Sequence, residues 1–359
     1  MKILLVYRSW DNSDFFNGIT IGGMERFCKL IYKHYQNIEL LQVKDEESLD
    51  MSKSERIKSR EQIQEKIIKK SQEVDADLII LNWFDSSATG KKIIKSSIPI
   101  LYINHAIEYI LSRLNSFRKI KENNHSLYFV SQYQKNHYDI MSKRINDKQI
   151  DFDGYIEPAF VSGVKPKVVD NPEFDCVTIG RSCPHKNPFL LKELTKGTSL
   201  RTLVISNEIK ENDIHSYPYY TKNKNYNDVL WNLNHDDVLK NLSRGKVFFS
   251  SWPHETFGIT SLEALSCGLP VILSCKNNSH ASEILFTDKT KHFYRKIEHK
   301  NKEELINAIN SFKDIDRKEI RDMTWGKYTQ KRWKSLLDNA IDKTIENFKS
   351  HKGEVYPYD

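Results

Sequence analysis

Short, nearly continuous apolar runs recur along the chain, each set off by polar or Gly- and Pro-containing stretches. In the first half they are KILLVY (2–7), ADLIILNW (76–83), IPILYIN (98–104) and HSLYFVS (125–131). Runs of this length without polar alternation predict strands covered on both faces. Between them the period changes. MERFCKLIYKHY (24–35) places Met24, Phe27, Leu30 and Ile31 at helical spacing, and the charged stretch from Ser52 to Lys70 also reads as a helix. The pattern then restarts with FDCVTIG (174–180), LRTLVIS (200–206), GKVFFSS (245–251) and LPVILS (269–274). Strands alternating with helices predict parallel, doubly wound sheets, and the restart predicts two of them in tandem.

The joint falls in EPAFVSGVKPKVVDNPEF (157–174), rich in Pro, Gly and Val. The expected organisation is a first domain over 1–162, a second over 163–325, and a C-terminal amphipathic helix over 326–350. That helix is expected to return to the first domain with Trp325, Tyr328 and Trp333. Ligands of open α/β sheets bind beyond the carboxyl ends of the strands, and domain interfaces are favoured pocket sites, so residues just after strands carry most weight.

Composition narrows the class. In 359 residues, 39% are hydrophobic and 29% charged, which excludes a disordered chain. The longest apolar runs are too short to span a bilayer. The N-terminus enters a strand-like run at once, with no secretory leader pattern. The five cysteines (Cys28, Cys176, Cys183, Cys267 and Cys275) are scattered and form no C-x-x-C pair. Reduced thiols and a cytoplasmic location are expected. The net charge of +7 suits anionic partners (nucleic acid, an acidic membrane face or a nucleotide-bearing substrate) and equally fits a lysine-rich solvated surface.

Candidate chemistry concentrates in SSWPHETFGITSLEALSCGLPVILS (250–274). A strand ends, a loop carries Glu255, and a helix with small first-turn residues carries Glu263. A helix start offers unsatisfied N–H groups and the positive end of a dipole, which suits an anion. The two acids lie on different elements and can address different parts of one extended ligand as hydroxyl acceptors. Gly258 allows close backbone approach. A second cluster, Gly180, Arg181 and Lys186, follows the FDCVTIG strand. Two cations there can neutralise charge building on a leaving diphosphate. Each cluster is also open to a plainer reading, as an ordinary strand–loop–helix unit or a strand end with surface cations.

The segment ETFGITSLEALSCGLPVI resembles the E-x7-E signature of retaining GT-B glycosyltransferases of the glycogen-synthase and glycosyltransferase-family-four type. The resemblance implies two Rossmann-like domains with parallel sheets facing across a cleft, and sugar transfer from a nucleotide sugar. The first domain would bind the acceptor, the second the nucleotide sugar. UDP is the commonest donor nucleotide in that family, and no metal or other cofactor is implied. It implies that Glu255 positions the sugar and Glu263 grips the ribose, with Thr256, Phe257, Gly258 and Ile259 along the donor. Gly180, Arg181 and Lys186 would hold its phosphates. Asn187 stands where the family usually has Gly after the lysine. Gly22 and Gly23 would lie against the donor diphosphate at the first helix of the acceptor domain. His105, just past a strand end, matches a histidine near the transferred sugar. The family's earlier histidine is absent, and Asn82, Trp83 and Phe84 stand there instead.

Three D-x-D triplets (Asp75/Asp77, Asp151/Asp153 and Asp314/Asp316) match the metal motif of the other glycosyltransferase fold, but none sits in a strand-end loop. All six acids are expected to be solvated. ATGKK lacks the first glycine of a P-loop, and no G-x-S-x-G or H-E-x-x-H occurs.

For the acceptor, residues 100–136 resemble the equivalent segment of the DNA α-glucosyltransferase of T-even bacteriophages. That resemblance implies a basic face of Arg113, Arg118, Lys119, Lys121 and Lys135 on duplex DNA, with a flipped 5-hydroxymethylcytosine as acceptor. A lipid-linked or polysaccharide acceptor at an anionic membrane surface is the alternative. A non-catalytic binding protein that retains the fold is a third.

Overall fold

The structure, a computed structural model, describes residues 1–9, 23–44, 51–82, 90–105, 110–144, 150, 152–160, 165–209, 211, 213, 216–275 and 280–350. The chain divides into two compact units: Met1–Val161 with Gln330–Asp359, and Ser162–Thr329.

The first unit is built on six strands: β1 (Ile3–Ser9), β2 (Ile38–Lys44), β3 (Leu78–Leu81), β4 (Ile100–Asn104), β5 (Ser126–Phe129) and β6 (Gly154–Tyr155). They pair in the order β2-β1-β3-β4-β5-β6, all parallel. Its helices are α1 (Gly23–His34), α2 (Lys53–Glu73), α3 (Lys91–Ile94), α4 (Ile110–Glu122) and α5 (Gln132–Arg144). Ser52 and Glu55 start α2 with a reciprocal capping box, which fixes where that charged stretch turns helical. β3, β4 and β5 are buried at every position, as expected of central strands with helices on both faces. Ile79, Leu81, Ile100, Tyr102 and Leu127 belong to one core with Phe117, Phe129, Tyr138 and Phe152. The rings of Phe129 and Tyr138 stack at 5.0 Å, and Phe117 meets both edge-on.

The second unit repeats the plan with β7 (Phe174–Ile179), β8 (Thr202–Ser206), β9 (Val229–Trp231), β10 (Gly245–Ser250), β11 (Val271–Leu273) and β12 (Tyr294–Lys296). Their order is β12-β11-β10-β7-β8-β9, again all parallel. The helices are α6 (Leu190–Thr195), α7 (Tyr217–Asn223), α8 (His235–Leu242), α9 (Ile259–Ser266), α10 (Lys302–Asn310) and α11 (Arg317–Lys327), with 3-10 turns at Ala281–Leu285 and Lys291–Phe293. Cys176, Val247, Phe249 and Ile272 from the sheet pack with Leu190, Leu305, Ile309 and Phe312. All five cysteines are buried and unbridged.

The C-terminal stretch corrects one expectation. It is two helices, not one. α11 ends at Lys327, and Tyr328 leaves helical geometry (φ −102°, ψ 51°). Its buried ring meets Phe257 edge-on at 5.9 Å inside the second unit, so burying the phenol there takes precedence over helix continuity. α12 (Gln330–Ser350) belongs to the first unit. Trp333, 1% exposed, meets Phe27 edge-on at 5.5 Å. Tyr35 donates to Asp338 at 2.6 Å, Arg332 pairs with Glu157 at 2.6 Å, and Phe348 stacks on His125 at 5.4 Å. Among the described residues, no helix is long and apolar enough to cross a membrane.

Candidate active site

Strand order locates the site. In the second sheet, successive strands run from β7 through β8 and β9 on one side, while β10 returns to pair with β7 on the other. Connections from the carboxyl ends of β7 and β10 therefore diverge, which leaves a crevice of the kind that binds ligands in open α/β sheets. Gly180, Arg181 and Lys186 follow β7, and Glu255 to Gly258 follow β10.

Side chains tie these loops together. Ser206, at the end of β8, donates to the Gly180 carbonyl at 2.7 Å and bonds Ser182 at 2.9 Å. Ser251 donates to the Lys186 carbonyl at 2.8 Å. Asn187 has φ 38°, in the left-handed region that asparagine tolerates better than most residues. Asn187 thus holds a backbone turn that glycine would also accept, and Tyr219 donates to the Asn187 side chain at 2.6 Å.

The central contact is an ion pair. Lys186 Nζ lies 2.8 Å from Glu255 Oε1, with the side chains 30% and 16% exposed. Burial pushes the Glu255 carboxyl up. The Lys186 charge and hydrogen bond, with His280 and His185 behind them, outweigh it and hold the group below the usual carboxylate range. Lys186 also lies 5.9 Å from the Trp252 ring centroid. The Arg181 side chain is exposed.

α9 begins at Gly258, whose φ of 87° and ψ of 54° are left-handed, and no side chain caps the helix. A Cβ at Gly258 would sit 1.9 Å from Ser282 Oγ, so glycine is required twice over. Phe257 is buried, while Thr256 and Ile259 are half-buried. Glu263 is buried, and His235 Nε2 lies 2.8 Å from its Oε1. His235 is the first residue of α8, where Asn234 caps the helix by accepting from the Asp237 N–H.

His280, which sequence reasoning missed, supports the β10 loop. Its Nδ1 accepts from the Ser282 N–H at 3.1 Å, so Nε2 carries the hydrogen and donates to the Trp252 carbonyl at 2.9 Å. Burial depresses the ring's pKa, opposed by that hydrogen bond and by Glu255 and Glu283. His235, His280 and Ser282 all meet the site from elements distant in sequence. Only the cap-like Asn-x-x-Asp around His235 left a local signal.

In the first unit, His105 follows β4 and its Nε2 lies 2.5 Å from Asn82 Oδ1, just past β3. Asn82 Nδ2 donates to Cys28 Sγ at 3.0 Å. Burial pushes the His105 pKa down to about 3. Gly23 opens α1; Gly22, Trp83 and Phe84 lie outside the described residues.

Of the five basic residues expected on an acceptor face, Lys121 pairs with Asp153 at 2.6 Å and Lys135 with Asp139 at 2.9 Å. Lys119 is exposed and Arg118 half-buried; Arg113 lies in α4 with its side chain outside the described part. The Lys121 contact overturns the expectation that Asp153 is solvated. Its side chain is 8% exposed and also accepts from the Leu127 N–H at 2.8 Å, because it links α4 to the start of β5. Asp316 likewise serves structure, as the N-cap of α11. Among the described residues, no group of three or more His, Cys, Asp or Glu could hold a metal.

The profile of the glycosyl transferases group 1 family matches residues 165–332. No curated protein sequence matches the chain. Among solved structures, the sucrose-phosphate synthase of Thermosynechococcus elongatus is similar at 13% identity and a TM-score of 0.66, covering 98% of this chain and 99% of that one. Anabaena HepE, solved with UDP-glucose, is similar at 14% identity and a TM-score of 0.63, covering 95% and 99%. The lipopolysaccharide outer core galactosyltransferase WaaB is similar at 14% identity and a TM-score of 0.57, again covering 95% and 99%. The chain has the fold of these GT-B glycosyltransferases, and the match to the glycosyl transferases group 1 profile lies in the segment that builds its second unit.

Proposed function

We propose that the protein is a retaining glycosyltransferase that moves a sugar from a UDP-linked donor to a hydroxyl acceptor. The observation that carries this reading is the Lys186–Glu255 contact at the β7–β10 switch point, beside the uncapped start of α9. It brings together a cation suited to a diphosphate, an acid suited to sugar hydroxyls, and a helix start suited to an anion. The donor diphosphate takes Arg181, Lys186 and the N–H groups at the head of α9. Lys186 then leaves Glu255, whose carboxylate accepts from the sugar's hydroxyls, and Glu263 accepts from the ribose. The departing phosphate removes the acceptor's proton on the face it vacates, so configuration is retained. The protein's part is positioning and charge stabilisation.

On the acceptor, the ion pairs of Lys121 and Lys135 favour a carbohydrate or glycolipid hydroxyl. Two of the five cations expected on a DNA phosphate face are already neutralised by acids. The exposed Lys119 and the net charge of +7 keep 5-hydroxymethylcytosine DNA as the second reading.

UDP release from UDP-glucose, followed by the mass shift of 5-hydroxymethylcytosine DNA and of glycolipid extracts, tests the proposal. Glu255→Gln is expected to slow release about 100-fold or more. A variant as active as the parent would remove Glu255 from the chemistry. A mass shift confined to DNA would replace the carbohydrate acceptor with the second reading.

A further inference from the structure

The first unit contains a hydrogen-bonded chain that the reaction scheme above does not use. It runs from Cys28 on α1 to Asn82 beyond β3 and on to His105 beyond β4. These groups come from three elements of one unit and converge at the carboxyl edge of its sheet. Asn82 is 1% exposed and Cys28 is fully buried. An asparagine amide has one accepting end and one donating end. With Nδ2 directed to Cys28 Sγ at 3.0 Å, Oδ1 faces His105 at 2.5 Å and can only accept. The hydrogen on the imidazole must then lie on Nε2, and Nδ1 retains its lone pair.

We infer that Asn82 is a positioning residue that locks His105 in the neutral Nε2–H form, so that the ring meets a substrate hydroxyl through Nδ1 as acceptor only. The inference rests on the proposed glycosyltransferase reading and on the place beside the transferred sugar that the family resemblance implies for His105, and it adds the ring's tautomer and the direction of its hydrogen bond. The surroundings agree. Phe27 meets the imidazole edge-on at 5.3 Å and itself leans on Trp333. Among the described residues, the titratable groups acting on this chain are Cys28, whose thiol burial pushes far up, and Glu25 of α1, whose charge acts on Cys28. Burial alone is what lowers the His105 pKa, so the amide holds a ring that stays uncharged. A ring in this state accepts a hydrogen bond without acting as an acid. That suits a site where the departing phosphate, not a side chain, takes the acceptor's proton.

The test is long-range proton–nitrogen NMR on the 15N-labelled full chain, with His105→Gln to assign the ring. The expected spectrum shows His105 as the Nε2–H tautomer, unchanged between pH 8 and pH 5. An Nδ1–H tautomer, or a ring that titrates near its ordinary pKa, would overturn the inference, and neither observation requires a variant to fold. Asn82→Asp, which keeps the shape and adds a charge, is expected to bring His105 titration into the neutral range and to add an ionisation to the pH profile of UDP release from UDP-glucose. Asn82→Leu is expected to abolish the tautomer preference and slow that release about tenfold, the worth of one hydrogen bond. A ring whose tautomer ignores both changes would also sink the assignment. If the tautomer follows Asn82 while His105→Ala releases UDP at the parent rate, the lock stands and the sugar-contact role of His105 falls.

Discussion

Beyond β7 and β10, Lys186 and Glu255 stand as a charge pair, whereas beyond β4 burial keeps His105 neutral. Glu255 faces Lys186 at 2.8 Å and Glu263 faces His235 at 2.8 Å, both in the second unit. In the first unit, His105 faces an amide, and His125 faces the Ile94 carbonyl and the ring of Phe348. The difference matches the two tasks proposed. A donor that arrives with a diphosphate needs charges ready to re-pair, and leaving either member of a buried pair alone is costly. An acceptor or sugar hydroxyl needs only directed hydrogen bonds, which a neutral, desolvated ring supplies.

Acidification should separate the units most strongly. Burial lowers the His105 pKa to about 3, and burial opposed by the Ile94 carbonyl lowers that of His125 to about 4. Both rings are neutral in the fold and protonate more readily when unfolded, near pH 6.5. Their contribution is complete above about pH 6.5 and is lost as pH falls toward those depressed values, at roughly 3 kcal/mol each by pH 4. Glu255, held below its usual value, keeps its contribution at any pH above the carboxylate range. Hydrogen exchange resolved by peptide is therefore expected to show β3–β5 opening between pH 6 and pH 4 while the α9 region stays protected. Simultaneous opening would show that His105 and His125 do not set the acid response of the first unit.

Lys186→Ala should invert the second unit's behaviour. With the main cation gone, burial dominates and the Glu255 carboxyl rises above its usual value. Stability near α9 is then present at low pH and lost as pH rises toward 7, by about 1–3 kcal/mol. Exchange of the α9 amides against pH reads the slope, and an unchanged slope would mean that Lys186 does not set the charge of Glu255.

Backbone changes should be smaller. Gly258→Ala forces a Cβ onto Ser282 Oγ at a left-handed position and is expected to cost about 2 kcal/mol, read as a lowered denaturant midpoint. Asn187→Gly should be nearly neutral, whereas Asn187→Val should cost about 1–2 kcal/mol at φ 38°.

Sequence pattern reveals the interior of both sheets and hides their margins, for a physical reason. The eight apolar runs correspond to β1, β3, β4 and β5 and to β7, β8, β10 and β11, the inner strands of the two orders. The four strands that the runs do not pick out, β2, β6, β9 and β12, are the four edges. Edge strands are half-covered; β9 and β12 are only partly buried at each position, so no continuous apolar run is required of them. At the site, Lys186 and Glu255 were legible because each sits in a motif just after an inner strand. Asn82 was read only as a departure from a family pattern. His235, His280 and the Lys121–Asp153 link were missed because each depends on a partner from a distant element, and spacing along one segment carries no trace of it. The tail was read as one helix because its apolar periodicity runs on through Tyr328, a residue that tertiary contact with Phe257 draws out of line.

In the proposed reaction Lys186 exchanges one anion for another. A crystal structure of the protein with UDP-glucose tests this directly. The expected result has diphosphate oxygens within hydrogen-bond distance of Lys186 Nζ and the first N–H groups of α9, with Glu255 turned to the sugar's hydroxyls. A complex in which Lys186 still holds Glu255 and the diphosphate contacts neither the lysine nor α9 would contradict it.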